Sequence, residues 1–259
     1  SVKMDFARLQ QWKDSVVKDS RNGIATLCRL NGVEVIKGRA FFTSSRTLSV
    51  ETEAGLRDIE FEKAIIATGT LVSGLDNLPY DHDRIIDSDD ALSLNTIPET
   101  VIVVGGGYIA AEMACMFMGL GSDVTIVYRG ERLLKNLEPE MSTLLAKSIS
   151  SKGGKIIFRG EVETVSGDEA VVRTPDGKTT IRFDKMLVAV GRAADFSGLG
   201  LDKTRVKLDG EGRIIVSSER KTDDDSIYAV GDVVPGPQLA HKAFREGKVA
   251  AEAIYGQKS

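Results

Sequence analysis

The chain has 259 residues, enough for one large domain or two modest ones, with 42 % hydrophobic and 28 % charged residues, an ordinary balance for a globular protein. The net charge of −4 gives no basic excess of the kind a general nucleic-acid surface needs. No apolar run approaches the roughly 18 residues of a membrane-spanning helix, and no leader-like segment is read, so a cytoplasmic-type protein without membrane or nucleic-acid partners is expected.

Residues 4 to 30 carry Phe6, Leu9, Trp12, Val16 and Val17 at helical spacing, with Gly23 as a predicted bend. From Val33 the period changes. "VEVIKGRAFF", "TLSVET" and "LRDIEFEKAIIATG" predict an antiparallel meander feeding a buried strand, "KAIIATG". Residues 71 to 100 crowd Asp, Asn and Pro together and read as a connector, with a short helix at "SDDALSL". Strand "TVIVVG", helix 108 to 119, strand "DVTIVYR", helix "EPEMSTLLAKSISSKG" and strand "KIIFRG" then predict parallel β-α-β-α-β order. A second meander, "EVETVSG", "EAVVRTPDG" and "KTTIRF", feeds another apolar strand, "KMLVAVG". The chain closes with "IYAVGD" and a helix from about 240 to 255. One plan, a meander followed by an apolar strand ending in glycine, thus occurs twice and implies two related nucleotide-binding units.

The motif that carries chemistry is "VIVVGGGYIAAE". Gly105, Gly106 and Gly107 follow a strand and open a helix. Gly105 allows a tight turn, Gly107 lets a pyrophosphate approach the backbone, and Ala110 lets helix and strand lie close. The free N–H groups of the first helical turn, backed by the helix dipole, then hold phosphate, so a dinucleotide is the expected partner. The next strand should end on an acid that accepts the ribose hydroxyls of NAD. It ends on Tyr128, followed by Arg129, Arg132 and Lys135, and forked guanidinium donors suit a 2′-phosphate. NADP is the expected cofactor. The alternative is NAD, with these residues forming only a solvated basic loop.

Cys28 and Cys115 stand far apart and outside any local Cys pair, so both are expected to be reduced and mostly buried. His82 reads as a surface residue. Neither cysteine has a neighbouring histidine in sequence, no catalytic nucleophile–base pair is readable, and no metal site is expected.

Taken together, "FEKAIIATGT", "VIVVGGGYIAAE", "MLVAVGRAAD" and "SIYAVGDVVPGPQLAHKAFREGKVAAEAI" resemble the pyridine nucleotide–disulfide oxidoreductases along essentially the whole chain. "GPQLAHKAFREG" is most similar to the dihydrolipoamide dehydrogenase branch, and "YRGERLLK" to the glutathione reductase branch. The resemblance implies that Gly105, Gly106, Gly107, Tyr108, Ile109 and Ala110 line the nicotinamide nucleotide. In it Tyr108 shields the flavin face, Glu112 holds the carboxamide, and Val162 and Gly191 border the adenosine and nicotinamide ends. Thr68, Gly69 and Asp232 would belong to an FAD site, with Gln238, Leu239, Ala240 and His241 beside the isoalloxazine.

The expected fold is therefore α/β: a doubly wound, Rossmann-like NAD(P)-binding domain with a β-meander at 98–222, plus part of a second, FAD-type domain formed by 1–97 and 223–259. The family's first Gly-rich loop, its Cys-x4-Cys pair and its His-Glu dimerisation domain are not found in this sequence, which starts at Ser1 rather than Met. The chain is accordingly expected to be the nicotinamide-nucleotide-binding portion of a flavin-dependent disulfide oxidoreductase. On its own it is expected to be inactive toward disulfides and not to retain FAD, while the parent is expected to form a homodimer. Two alternatives stay open: another NAD(P)H flavin reductase, or a non-catalytic dinucleotide-binding protein.

Overall fold

The structure is a computed structural model and describes residues 4–257. In chain order the elements are α1 (Phe6–Leu30), β1 (Arg39–Phe42), β2 (Thr47–Thr52), β3 (Gly55–Glu60), β4 (Ala64–Ile66), β5 (Leu71–Val72), β6 (Ile85–Ile86) and α2 (Ser88–Leu92). There follow β7 (Thr100–Val104), α3 (Tyr108–Leu120), β8 (Asp123–Tyr128), α4 (Pro139–Ser151), β9 (Lys155–Phe158), β10 (Glu161–Ser166), β11 (Glu169–Thr174) and β12 (Gly177–Arg182). The chain ends with β13 (Lys185–Val188), β14 (Arg192–Ala193), β15 (Ile227–Ala229) and α5 (Ala240–Ile254). No helix among the described residues is long and apolar enough to cross a membrane. Contacts divide the chain into two compact units, one of residues 1–25 and 72–191, the other of 26–71 and 192–259.

The first unit is built on a five-stranded sheet in the order β6-β13-β7-β8-β9, every pair parallel. A parallel sheet of this kind is covered on both faces, so its strands are apolar at consecutive positions. Alternation still decides which face each side chain joins. Val101 and Val103 of β7, Val124 and Ile126 of β8 and Leu187 of β13 pack with Ala110, Ala114 and Phe117 of α3 and Ile149 of α4. Ile102 and Val104, Val127, and Met186 and Val188 point the other way, onto Val162, Ala170 and Val172 of the meander β10-β11-β12 and Phe183 just after it. Left-handed Gly121 (φ 102°) stops α3, with its N–H on the carbonyls of Phe117 and Met118.

The second unit has an antiparallel sheet β1-β2-β3 and a parallel pair, β4 with β15. Its core gathers Phe42, Ile66, Ile214, Ile227, Ala229, Val233 and Val234.

Four expectations are corrected. Helix α1 runs through Gly23 unbroken, the cost of a mid-helix glycine being only about 1 kcal/mol. The connector contributes a real edge strand, since Ile85 and Ile86 pair with Met186 and Leu187. Two residues are too few to show a period. By contacts, residues up to 25 and 72–97 group with the nucleotide-type unit and 192–222 with the other, where the Ile214 N–H reaches the Val233 carbonyl at 2.8 Å, so the first unit is 1–25 with 72–191, against the expected 98–222. Both cysteines are free, but Cys115 is exposed on α3 and Cys28 is half-buried.

Candidate functional site

The carboxyl ends of β7, β8 and β13 meet at the glycine turn. Gly105 has φ 143°, and a Cβ there would sit 2.2 Å from the Ala189 carbonyl oxygen just past β13 and 3.3 Å from the Ala110 Cβ. Only glycine fits such a conformation and such an approach. The Gly105 N–H donates to the Val127 carbonyl at 3.0 Å, and the Gly106 carbonyl accepts the Leu134 N–H at 2.7 Å, so the turn is tied to β8 and to the loop after it. Gly107 differs from both. It is exposed, has ordinary φ, and a Cβ on it would meet nothing within 4 Å. It is also the N-cap of α3 and supplies no side-chain cap to the first turn. An open, uncapped helix start on the carboxyl edge of a parallel sheet is the arrangement that receives a pyrophosphate.

Tyr108 begins α3 and is 42 % exposed, Ile109 is half-buried, Ala110 is fully buried, and Glu112 is exposed one turn on. Gly191, with φ 142°, follows β13 and is exposed at the same edge. Its carbonyl accepts the Ser73 N–H at 3.0 Å. Nearby, the Tyr80 hydroxyl donates to the carbonyls of Ser73 and Val188 at 3.0 and 3.1 Å, and burial pushes its pKa up, so it stays a donor. Val162 is 2 % exposed and belongs to the core. Its side chain packs with Val127 and Ala170, and its carbonyl accepts from the Asn77 amide at 2.8 Å.

The loop after β8 sorts the predicted basic residues. The Tyr128 ring is wedged between two glycines: a Cβ on Gly106 would lie 2.5 Å from it, and one on Gly130 likewise 2.5 Å. Arg132 turns back into its own loop, donating to the carbonyls of Leu137 and Lys135 at 3.0 and 2.7 Å. Arg129 and Lys135 are exposed, and neither side chain has a hydrogen bond or ion pair among the described residues. Sequence reasoning missed one neighbour, Arg159. It follows β9, donates its N–H to the Gly130 carbonyl at 3.0 Å and pairs with Glu131 at 2.7 Å. Its signal was present: β8 ends on "YRG" and β9 on "FRG".

In the second unit Thr68 and Gly69 follow β4 and Asp232 follows β15, and the Val230 N–H on the Ile66 carbonyl at 3.0 Å extends the pair. These residues therefore share the carboxyl edge of one parallel pair. The Gly231 turn is gripped on both sides: its N–H donates to buried Glu246 at 2.8 Å and its carbonyl accepts from Lys242 at 2.8 Å. Leu239 is the N-cap of α5, whose first turn carries Ala240 and exposed His241, with Gln238 just before it. By resemblance, this is the edge expected to take the ribityl and ring end of a flavin. Among the described residues the unit's Gly-x-Gly ahead of a helical turn, Gly198-Leu199-Gly200, opens only the three-residue 3-10 turn Leu201–Lys203, and a Cβ on Gly200 would sit 2.4 Å from the Phe42 carbonyl oxygen, so it is not an open α-helix start of the Gly105–Gly107 kind.

His82 is a surface residue. Its side chain is 63 % exposed, and Nδ1 pairs with Asp90 at 2.8 Å. With Asp87 these form the His/Asp/Glu/Cys cluster found among the described residues, but both carboxylates are engaged in capping α2.

Residues 3–247 match the family description "Pyridine nucleotide-disulphide oxidoreductase". The chain is 38 % identical over 263 residues to a dihydrolipoyl dehydrogenase of Geobacillus stearothermophilus, covering 100 % of this chain and 56 % of that protein. It is 35 % identical over 266 residues to one of Halobacterium salinarum, covering 98 % and 55 %. Among solved structures, the flavoprotein disulfide reductase RclA of Escherichia coli superposes with a TM-score of 0.87 at 27 % identity, covering 97 % of this chain and 57 % of that one. The LpdA protein of Mycobacterium tuberculosis, at 24 % identity and a TM-score of 0.90, shares the fold, covering 99 % and 58 %. The chain thus spans little more than half the length of the relatives it matches. With a glycine turn at a parallel carboxyl edge and this match over nearly its whole length, the chain belongs to the pyridine nucleotide–disulphide oxidoreductase family.

Proposed function

We propose that this chain is the nicotinamide-nucleotide-binding portion of a flavin-dependent disulfide oxidoreductase of the dihydrolipoamide dehydrogenase type, and that its nucleotide is NADP(H). The carrying observation is the open Gly107 start of α3 beside exposed, unpaired Arg129, on a strand end that has Tyr128 where an acid would hold NAD. The dihydrolipoyl dehydrogenases at 35 to 38 % identity support the dithiol substrate class.

In this reading the N–H groups of the first α3 turn donate to the pyrophosphate. Tyr108 covers the nicotinamide end, and the Glu112 carboxylate accepts from the carboxamide. Arg129 and Lys135 meet the 2′-phosphate, while Arg132 stiffens their loop. FAD, when bound, supplies the hydride acceptor, and Asp232 with the first turn of α5 would hold its ribityl and ring edge. The parent protein would act as a homodimer. NAD is the second reading, favoured by Glu131, an exposed acid in the same loop.

Calorimetric titration of the 259-residue chain with NADPH and NADH tests the nucleotide. One charge-assisted bond is worth about 1.5–3 kcal/mol, or about 10- to 150-fold, and exposure pulls the expected preference for NADPH toward the lower figure. NADPH affinity should also fall more steeply with salt. Equal affinities with equal salt slopes remove the NADP reading. For the parent protein, turnover with dihydrolipoamide should exceed turnover with glutathione disulfide.

A further inference from the structure

Strands β8 and β9 run parallel, with Tyr128 opposite Phe158 as the last registered pair. Each strand then continues with Arg and Gly. The ladder goes on past the pair, the Gly160 N–H donating to the Tyr128 carbonyl at 3.1 Å and the Arg159 N–H to the Gly130 carbonyl at 3.0 Å. Arg129 and Arg159 therefore emerge from adjacent strands at one level of the sheet edge. Arg159 holds φ 53°, a conformation unfavourable for its residue type, and its guanidinium pairs with Glu131. Both partners of that pair are largely exposed, 60 % and 74 %, so the pair is weak and easily opened.

We propose that Arg159 is a second, specificity-determining arginine of the 2′-phosphate site, acting across the sheet edge from Arg129, with Glu131 as its counter-ion when no nucleotide is bound. This rests on the NADP(H) reading above. Arg129, Glu131 and Arg159 together carry a single positive charge. A phosphate monoester arrives with a charge of about −1.5 to −2 at neutral pH. It repels Glu131, which turns to solvent, and takes both guanidinium groups. Two forks converging on one phosphate from neighbouring strands give more discrimination than one arginine in a loop. Glu131 then acts as a competitor for the phosphate. It has no role toward the ribose hydroxyls of NAD.

The test is calorimetric titration of the 259-residue chain with 2′,5′-ADP and with 5′-AMP, which differ in the 2′-phosphate alone. Arg159→Asn is the informative variant, because asparagine tolerates the left-handed backbone and no new strain is added. It should lower 2′,5′-ADP affinity about tenfold and leave 5′-AMP unchanged, as should Arg129→Ala. Glu131→Gln should raise 2′,5′-ADP affinity a few-fold, and this gain should vanish in the Arg159→Asn background. Arg159→Lys should recover part of the loss, since it keeps the charge without the fork. If Arg129→Ala weakens 2′,5′-ADP and Arg159→Asn does not, the NADP reading stands and this proposal is overturned. A wild-type chain that does not distinguish the two probes overturns both. A Glu131→Gln variant that loses 5′-AMP overturns the competitor role and places Glu131 on the ribose.

Discussion

Three adjacent glycines do three different things, and substitution should separate them. Gly105→Ala combines a left-handed φ of 143° with a Cβ 2.2 Å from the Ala189 oxygen. Backbone strain and overpacking at about 1–3 kcal/mol each predict a loss of about 2–6 kcal/mol in stability, read by urea unfolding. Gly107→Ala meets nothing and has ordinary φ, so it should cost only about 0.5–1 kcal/mol as a poorer N-cap. In the proposed binding mode its methyl group stands where the pyrophosphate comes, and NADPH affinity should fall on the order of tenfold or more, 1.4 kcal/mol per decade. A Gly107→Ala chain that binds NADPH like the wild type would move the phosphates elsewhere. The glycine roles were legible because the turn, the strand before it and the helix after it are all local. Tyr128 was legible only as a missing acid. That its ring is wedged against Gly106 and Gly130, and that Arg132 serves its own loop while Arg159 joins from another strand, depends on packing that no spacing rule reports.

At the scale of elements, long periodic segments read well: α1, α3, α4, α5 and both meanders fall within a few residues of their expected limits. Of the short ones, α2 was legible at "SDDALSL" and β6 was not. Strand β6 has two residues and exists because β13 offers an open edge to Ile85 and Ile86. Beyond β6, helix α2 has five residues and is held by caps more than by propensity. The Asp87 carboxylate accepts the N–H groups of Asp89 and Asp90 at 2.7 and 2.9 Å, and the Asp90 carboxylate accepts the Asp87 N–H at 3.1 Å. Asp90 also takes His82 Nδ1, and that bond raises the histidine's pKa above its ordinary value near 6.5. A raised histidine binds its proton more tightly folded than unfolded. Its contribution is therefore fully present below the ordinary value and is lost as pH rises through the raised one. Thermal unfolding of wild type and His82→Asn checks the sign: the wild type should melt higher at pH 5.5, and the difference should close by pH 8.5. Asparagine suits the left-handed φ of 58° at this position, so it tests the ion pair without added strain. A difference that grows with pH would mean the histidine acts by packing on Tyr80, whose ring centroid lies 6.0 Å away, and not by charge.

For the whole molecule, contacts divide the chain into two units whose boundaries follow strand pairing, which sequence order hides. The units are unequal. The first has five parallel strands buried on both faces and nearly all of it lies in one stretch, 72–191. That stretch, expressed alone, should fold cooperatively and bind NADPH within a few-fold of the longer chain. The second unit is assembled from two distant segments, and its parallel sheet has only two strands, β4 and β15. Its core is genuine, and Glu246 and Lys242 fix the Gly231–Asp232 turn, so the groups proposed for the flavin's ribityl and ring end are preorganised. What it lacks among the described residues is a Gly-x-Gly turn that opens an α-helix. Hydrogen bonds to charged groups are each worth about 1.5–3 kcal/mol, so losing several of them removes many decades of affinity even when the ring edge is well made. The purified 259-residue chain should therefore carry far less than stoichiometric FAD, and added FAD should bind weakly while NADPH binds well. A visible spectrum answers this directly. Flavin bands at one per chain, surviving gel filtration, would mean that Asp232, the Thr68–Gly69 turn and the start of α5 suffice without a phosphate cradle.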